Sequence, residues 1–123
     1  MSIDARIAAQ DYCYVTTTGR VTGRKHTIEI WFGIHGDTLY MLAGERERAD
    51  WVRNLRKTPE TSVRIERRRF DGRAREVRAR TKEDALARRL LLEKYARYDD
   101  LEEWGRTALV VAIDLGSSPG AGE

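Results

Sequence analysis

The sequence predicts a mainly β, α+β fold in which six short strands and three helices build one domain. Residues 28–34 alternate strictly, with Ile28, Ile30, Phe32 and Ile34 on one face and Glu29, Trp31 and Gly33 on the other, the period of a strand with one face in a core. Clusters of β-branched and aromatic residues recur at short intervals between turn residues. The connections are mostly short, so successive strands pair antiparallel. Six of them on 123 residues curl into a barrel with helices at its gaps rather than lie open.

Each element has its own signal. Ser2 caps a first helix over residues 3–10, with Ile3, Ile7 and Ala8 as a thin apolar stripe. Residues 12–18 form the first strand and 27–34 the second. His35-Gly36-Asp37 turns the chain into a third at 39–43. A polar loop, 44–48, leads to a helix over 49–57 that carries Trp51, Val52 and Leu55 at helical spacing and is stopped by Thr58-Pro59. The fourth strand spans 61–65 and the fifth 68–79, with Asp71-Gly72 expected as a bulge. Thr81 caps a long helix that runs to about residue 97, with Asp84 at the reciprocal capping position and Leu86, Leu90, Leu91 and Tyr95 inward. An acidic connection around Trp104 and Gly105 precedes the sixth strand, 107–114. Residues 1–115 make the domain, and the Gly/Ser/Pro-rich stretch 116–123 is expected to be a disordered tail.

Bulk properties narrow the function. Hydrophobic residues make up 41% and charged residues 35%, as in a water-soluble protein with an ionised surface, and no apolar run reaches the roughly 20 residues of a membrane span, so the expected location is the cytoplasm. The single cysteine, Cys13, excludes an internal disulfide and reads as a buried, inert thiol. His26 and His35 have no further ligand at suitable spacing, and no metal is expected. The net charge is +3, but Arg64, Arg67, Arg68, Arg69, Arg73, Arg75, Arg78 and Arg80 cluster in one stretch. That stripe could meet nucleic acid, although interleaved Glu66, Asp71 and Glu76, with Phe70 as its one stacking aromatic, favour an ionised outer strand face.

The stretch with most chemistry joins the first two strands: Thr16-Thr17-Thr18-Gly19-Arg20-Val21-Thr22-Gly23-Arg24-Lys25. Its glycines free the backbone to turn N–H groups toward a guest, and its arginines can grip oxyanions with two parallel bonds. A phosphate is the simplest such guest. The spacing is neither that of a P-loop nor that of the dinucleotide fingerprint, and a basic hairpin loop taken alone is more often solvated surface than a site. Trp31, on the polar face of its strand, asks for a cover: a partner subunit, a loop or a flat ligand.

Thr16-Thr17-Thr18-Gly19-Arg20 leading to Gly23-Arg24, then Trp51-Val52-Arg53-Asn54-Leu55 ahead of Pro59, then Trp104-Gly105-Arg106-Thr107, together resemble the deazaflavin-dependent nitroreductase family, whose enzymes use an F-420-type cofactor. The resemblance covers about residues 12 to 115. It implies a six-stranded split β-barrel of the FMN-binding split-barrel kind, and a cofactor whose phosphate and polyglutamate tail meet basic residues while its ring lies in a surface groove. By the same resemblance the cofactor is held by Arg20, Thr22, Gly23, Arg24, Lys25, Ala43, Gly44, Trp51 and Asn54, and Tyr95 and Tyr98 are candidate proton donors, with packing roles for both and water as the donor as the alternatives; Trp31 is a candidate substrate wall. Val21 stands where the family commonly has lysine, and Arg48-Ala49 where it often has histidine-proline.

Such an enzyme positions two flat partners and needs neither a triad nor a metal, because the hydride chemistry belongs to the cofactor. The expected acceptor is a quinone, a nitroaromatic or an enone, and the outward Trp31 inclines the chain to a homodimer. FMN in place of the deazaflavin, and a binder of cofactor or small ligand without turnover, are the alternatives.

Overall fold

The computed structural model describes residues 3–98 and 101–116. Seven antiparallel strands form one sheet: β1 (Cys13–Thr18), β2 (Lys25–Ile30), β3 (Gly33–His35), β4 (Thr38–Ala43), β5 (Glu60–Ile65), β6 (Arg68–Glu76) and β7 (Leu109–Leu115), in the order β2-β1-β5-β6-β7-β4-β3. β2 and β3 follow each other in the chain yet occupy opposite ends of that order. The sheet therefore curls until its two edges meet across Trp31-Phe32, which is a half-barrel.

This is the main departure from expectation. The second strand breaks into two, giving seven strands in place of six, although its face assignment holds: Phe32 is fully buried, and Ile28, Ile30 and Ile34 pack on the same core. That core gathers Cys13, Val15, Val63, Ile65, Phe70, Met41 and Ile113 inside the curl. Burial pushes the Cys13 thiol up to about 12, so it is inert.

Helix α1 (Ala5–Ala8) is shorter than expected. Its cap is Asp4, whose carboxylate accepts the Ile7 amide at 2.9 Å. The expected cap, Ser2, and residues 117–123 of the expected tail lie outside the described residues, whereas the Gly116 amide donates to the Asp71 carbonyl at 2.9 Å. A 3₁₀ turn, η1 (Arg46–Arg48), occupies the polar loop ahead of α2 (Asp50–Lys57). α3 (Lys82–Lys94) is capped by Thr81, which accepts the Asp84 amide at 3.1 Å. Asp84 reaches back to the Arg80 amide rather than to Thr81, and it also binds Arg88 one turn on. α4 (Glu102–Thr107) stands where an irregular connection was expected.

No bulge occurs at Asp71-Gly72. Val63 to Phe70, Ser62 to Asp71 and Thr61 to Gly72 pair in unbroken register. Glycine is needed there because a Cβ would stand 2.5 Å from the Ile113 side chain and 3.0 Å from the Asp114 carbonyl on β7.

The arginine stripe is interrupted by pairing at its centre. Arg73 meets Glu60, Arg75 binds both Glu83 and Asp114, and Arg64 lies over the Tyr14 ring at 4.3 Å. Arg75, with Tyr40, holds the Glu83 carboxyl down at about 2. These pairs leave the continuous positive face that nucleic-acid binding requires interrupted by carboxylates.

Candidate functional site: a basic cleft and an aromatic cleft joined by one strand

The basic loop closes between β1 and β2. The Gly19 amide donates to the Arg24 carbonyl at 2.7 Å and the Gly23 amide to the Gly19 carbonyl at 2.9 Å, with Gly23 at φ +78°. Gly19 has no room for a side chain: a Cβ would come within 2.9 Å of the His26 ring and 3.1 Å of the Arg24 carbonyl.

Helix α2 fixes this loop from below. The Arg20 guanidinium donates to Asn54 Oδ1 at 2.9 Å and pairs with Asp50 at 3.1 Å, its own amide also donates to Asn54 Oδ1 at 3.1 Å, and Lys57 donates to its carbonyl at 2.8 Å. Buried Asn54 completes the joint by donating to the Thr17 hydroxyl at 3.2 Å. Arg20 therefore spends much of its donor capacity inside the protein. Arg24 does not: its guanidinium has no ion-pair partner among the described residues, and its backbone amide is held by the Thr22 hydroxyl at 3.2 Å.

The loop and α2 enclose a cleft of about 570 Å³ that includes Arg20, Thr22, Arg24, Trp51 and Asn54 from the expected set. Gly23 forms the loop turn. Lys25 instead starts β2 and donates to the Thr18 hydroxyl at 2.9 Å. Ala43 is buried in the core and Gly44 sits against Trp104, so neither lines this cleft. His26 and Asp50 line it as well. Their signal in the sequence is faint, one a residue beyond the basic loop and the other beside Trp51 at the helix start.

A second cleft, about 500 Å³, lies further along β2 and is lined by Tyr12, Glu29, Ile30, Trp31, Leu42, Leu101 and Trp104. The cover that Trp31 asked for comes from this chain: its ring stacks on Tyr95 at 4.2 Å and 5°, meets Tyr98 at 4.9 Å, and takes Trp104 edge-on at 5.7 Å. One edge of Trp31 still lines the cleft.

The two tyrosines differ sharply. Tyr95 has no exposed surface, its hydroxyl accepts the Phe32 amide at 3.0 Å and donates to the Asp11 carbonyl at 2.7 Å, and burial raises its pKa strongly. It is a structural strut, which removes it as a proton donor. Tyr98 is exposed beside Trp31, with Arg97 donating to its hydroxyl at 3.3 Å.

The donor set of the basic cleft fits a flat coenzyme with an acidic side chain. It offers a free guanidinium, a hydroxyl and a glycine turn at one end, and a half-buried indole at the other.

No curated protein matches the sequence. Among solved structures, an F420-H2 dependent reductase, FDR-A, is 22% identical, covers 85% of this chain and 94% of its own, and has a TM-score of 0.70. The heme storage protein HutZ from Vibrio cholerae is 14% identical over 90% of this chain and 86% of its own, at a TM-score of 0.74. A chain described as a domain-swapped dimer is 23% identical over 85% and 80%, at 0.70. At such identities these likenesses establish the fold, a split barrel. The sequence profile of the F420H(2)-dependent quinone reductases matches residues 2–116. With nearly the whole chain matched, the protein belongs to the F420H(2)-dependent quinone reductase family and is a deazaflavin-dependent oxidoreductase.

Proposed function

We propose that Arg24, Thr22 and the Gly19–Gly23 turn hold the acidic side of coenzyme F-420, that Trp51 flanks its ring, and that the aromatic cleft takes a flat acceptor, a quinone before a nitroaromatic or an enone. One observation carries this reading: β2 lines both clefts, with Thr27 and Ile28 in the first and Glu29 and Ile30 in the second. A strand advances about 3.3 Å per residue, so Ile28 and Ile30 set the two clefts roughly 7 Å apart. Two planar molecules bound there are neighbours.

When bound, the reduced coenzyme supplies a hydride, and the protein's task is placement. Asn54 and Asp50 fix Arg20 and so hold the loop in its binding shape before the coenzyme arrives. Trp31 and Trp104 give the acceptor two apolar walls and displace water from it. The Tyr98 hydroxyl, beside Trp31, donates the proton that accompanies the hydride, leaving a phenolate next to the Arg97 guanidinium.

Residues 1–115 act as one domain, and a homodimer in the cytoplasm is the working assembly. The neighbour described as a domain-swapped dimer and the lack of any helix long and apolar enough to cross a membrane, among the described residues, support that reading.

The test is a pair of measurements on one variant, Trp31→Ala. Coenzyme affinity, read by fluorescence titration, should be unchanged while KM for a soluble quinone rises about tenfold or more, the scale of losing a stacked aromatic wall. A variant that loses coenzyme affinity and keeps its quinone KM would reverse the assignment of the two clefts.

A further inference from the structure

A third cleft, of about 450 Å³, opens where η1, the end of β6, the start of α3 and the end of α4 converge. It is lined by Arg46, Arg80, Arg88 and Arg106, with Asp84 as its one carboxylate. Four arginines from four separate segments repel one another unless something negative stands between them.

Two of the four are committed to the protein. Arg88 binds Asp84 at 3.1 Å and the Gly105 carbonyl at 2.9 Å, and Arg46 donates to the Thr107 carbonyl. Both thereby satisfy carbonyls at the end of α4. The exposed Arg80 and Arg106 guanidinium groups have no hydrogen-bond or ion-pair partner among the described residues. Asp84 is shared between Arg88 and the Arg80 backbone amide, and Glu47 pairs with Arg46 at 3.4 Å, so the excess positive charge of the cleft is that of the exposed Arg80 and Arg106.

The backbone adds an independent observation. Among the described residues three that are not glycine have positive φ, and two of them, Arg46 at +55° and Arg80 at +64°, line this cleft. The third, Glu66, sits in the β5–β6 hairpin, where such a conformation is ordinary. Left-handed backbone at a long side chain is unfavourable, and it persists where the fold gains from the position it creates. Here that position turns two arginines into one cleft.

We infer that this cleft is a second anion site, built to take a small ligand carrying at least two oxyanion groups, carboxylate or phosphate, with Arg80 and Arg106 as the binding residues and Arg46 and Arg88 as its fixed rim. Two sources offer that chemistry. One is the carboxylate tail of the coenzyme, reached past η1, which leads directly into α2 and the basic cleft. The other is a free metabolite anion. The site itself does not depend on the assignment of the two clefts along β2.

Citrate and pyrophosphate serve as probes, titrated calorimetrically into the full chain at low salt. The wild type should bind at least one of them saturably, and Arg80→Gln with Arg106→Gln should weaken that binding tenfold or more, while Arg67→Gln, an exposed arginine outside both basic clefts, leaves it unchanged. Arg80→Gly supplies a check on folding: it removes the charge and relieves the backbone, so it should lower anion affinity while raising Tm. The same titrations with coenzyme preparations of long and short tail separate the sources. A tail occupant makes the double variant lose affinity for the long form alone, with citrate competing, whereas a free anion binds alongside the coenzyme. Citrate and pyrophosphate heats no larger in the wild type than in the double variant, together with equal affinity of both proteins for long- and short-tailed coenzyme, overturn the site.

Discussion

The Tyr95 hydroxyl accepts the Phe32 amide at 3.0 Å and so supplies the hydrogen bond that a neighbouring strand would otherwise give at the corner between β2 and β3. Lys94 attends the same corner, donating to the Phe32 and Ala8 carbonyls at 2.9 Å each, with its ammonium 3.7 Å above the Phe32 ring. The last residue of α3 and its C-cap therefore hold the seam of the half-barrel.

Tyr95→Phe keeps the ring stack on Trp31 and leaves the buried Phe32 amide without a partner. The expected cost is about 1–3 kcal/mol of stability, the scale of one unsatisfied buried polar group, measured by urea unfolding. Tyr98→Phe should do the opposite, leaving stability unchanged and lowering kcat for quinone reduction. Equal kcat in Tyr98→Phe and wild type would assign the proton to water.

Arg24 and Arg20 should separate on mutation. Arg24→Ala removes a guanidinium with no ion-pair partner among the described residues, so the coenzyme Kd should rise by roughly tenfold to a hundredfold, as for a charge-assisted bond worth about 1.5–3 kcal/mol, with Tm unmoved. Arg20→Ala weakens binding and also lowers Tm, because Asn54 and Asp50 lose the residue they hold. Fluorescence titration and thermal melting of both variants check the contrast.

Lys94 gives a pH signature. Burial lowers its pKa from 10.5 to about 8 in the folded protein. Between those values the unfolded chain binds more protons than the folded one, so this group makes stability rise with pH above about 8. Cys13 and Tyr95, raised by burial from 9.0 and 10.0, act in the reverse sense once pH exceeds about 9. Lys94→Met should therefore flatten a rise in the unfolding midpoint between about pH 8 and 9; an unaltered slope would detach it from this amine.

Gly72→Ala should destabilise by about 1–3 kcal/mol through overpacking, because its Cβ would press on Ile113 and the β7 backbone. A chemical denaturation midpoint equal to that of the wild type would show that β7 can yield there.

Much of this was legible from local pattern. Strand faces, the hairpin at Gly36-Asp37, the Thr81 cap and the basic loop each follow from residues a few positions apart. What escaped is set at long range. The one glycine between residues 27 and 34, Gly33, stands just after the break, and Ile30-Trp31-Phe32 itself carries no turn residue; the corner is made by Tyr95, 63 positions from Phe32. Gly72 looked like a bulge because a glycine in a strand has two uses, and only the approach of β7 chooses between them. Arg20 looked like a free ligand because its partners, Asp50 and Asn54, lie 30 and 34 residues on. Ala43 and Gly44 followed the family pattern into the cofactor set, and in space they face the core and Trp104 instead.

The order of the strands bears on how the chain finds its shape. β1–β2, β3–β4 and β5–β6 are each closed by a loop of a few residues, so three ribbons can form independently and early. Joining them is another matter: β4 meets β7 through pairs as distant as Thr38 and Asp114, 76 positions apart. The β1–β5 pairing joins two of the ribbons over a shorter span, whereas closure through β7 is entropically slow, so a nascent chain released before β7 is complete should leave the β3–β4 ribbon unattached to the rest of the sheet.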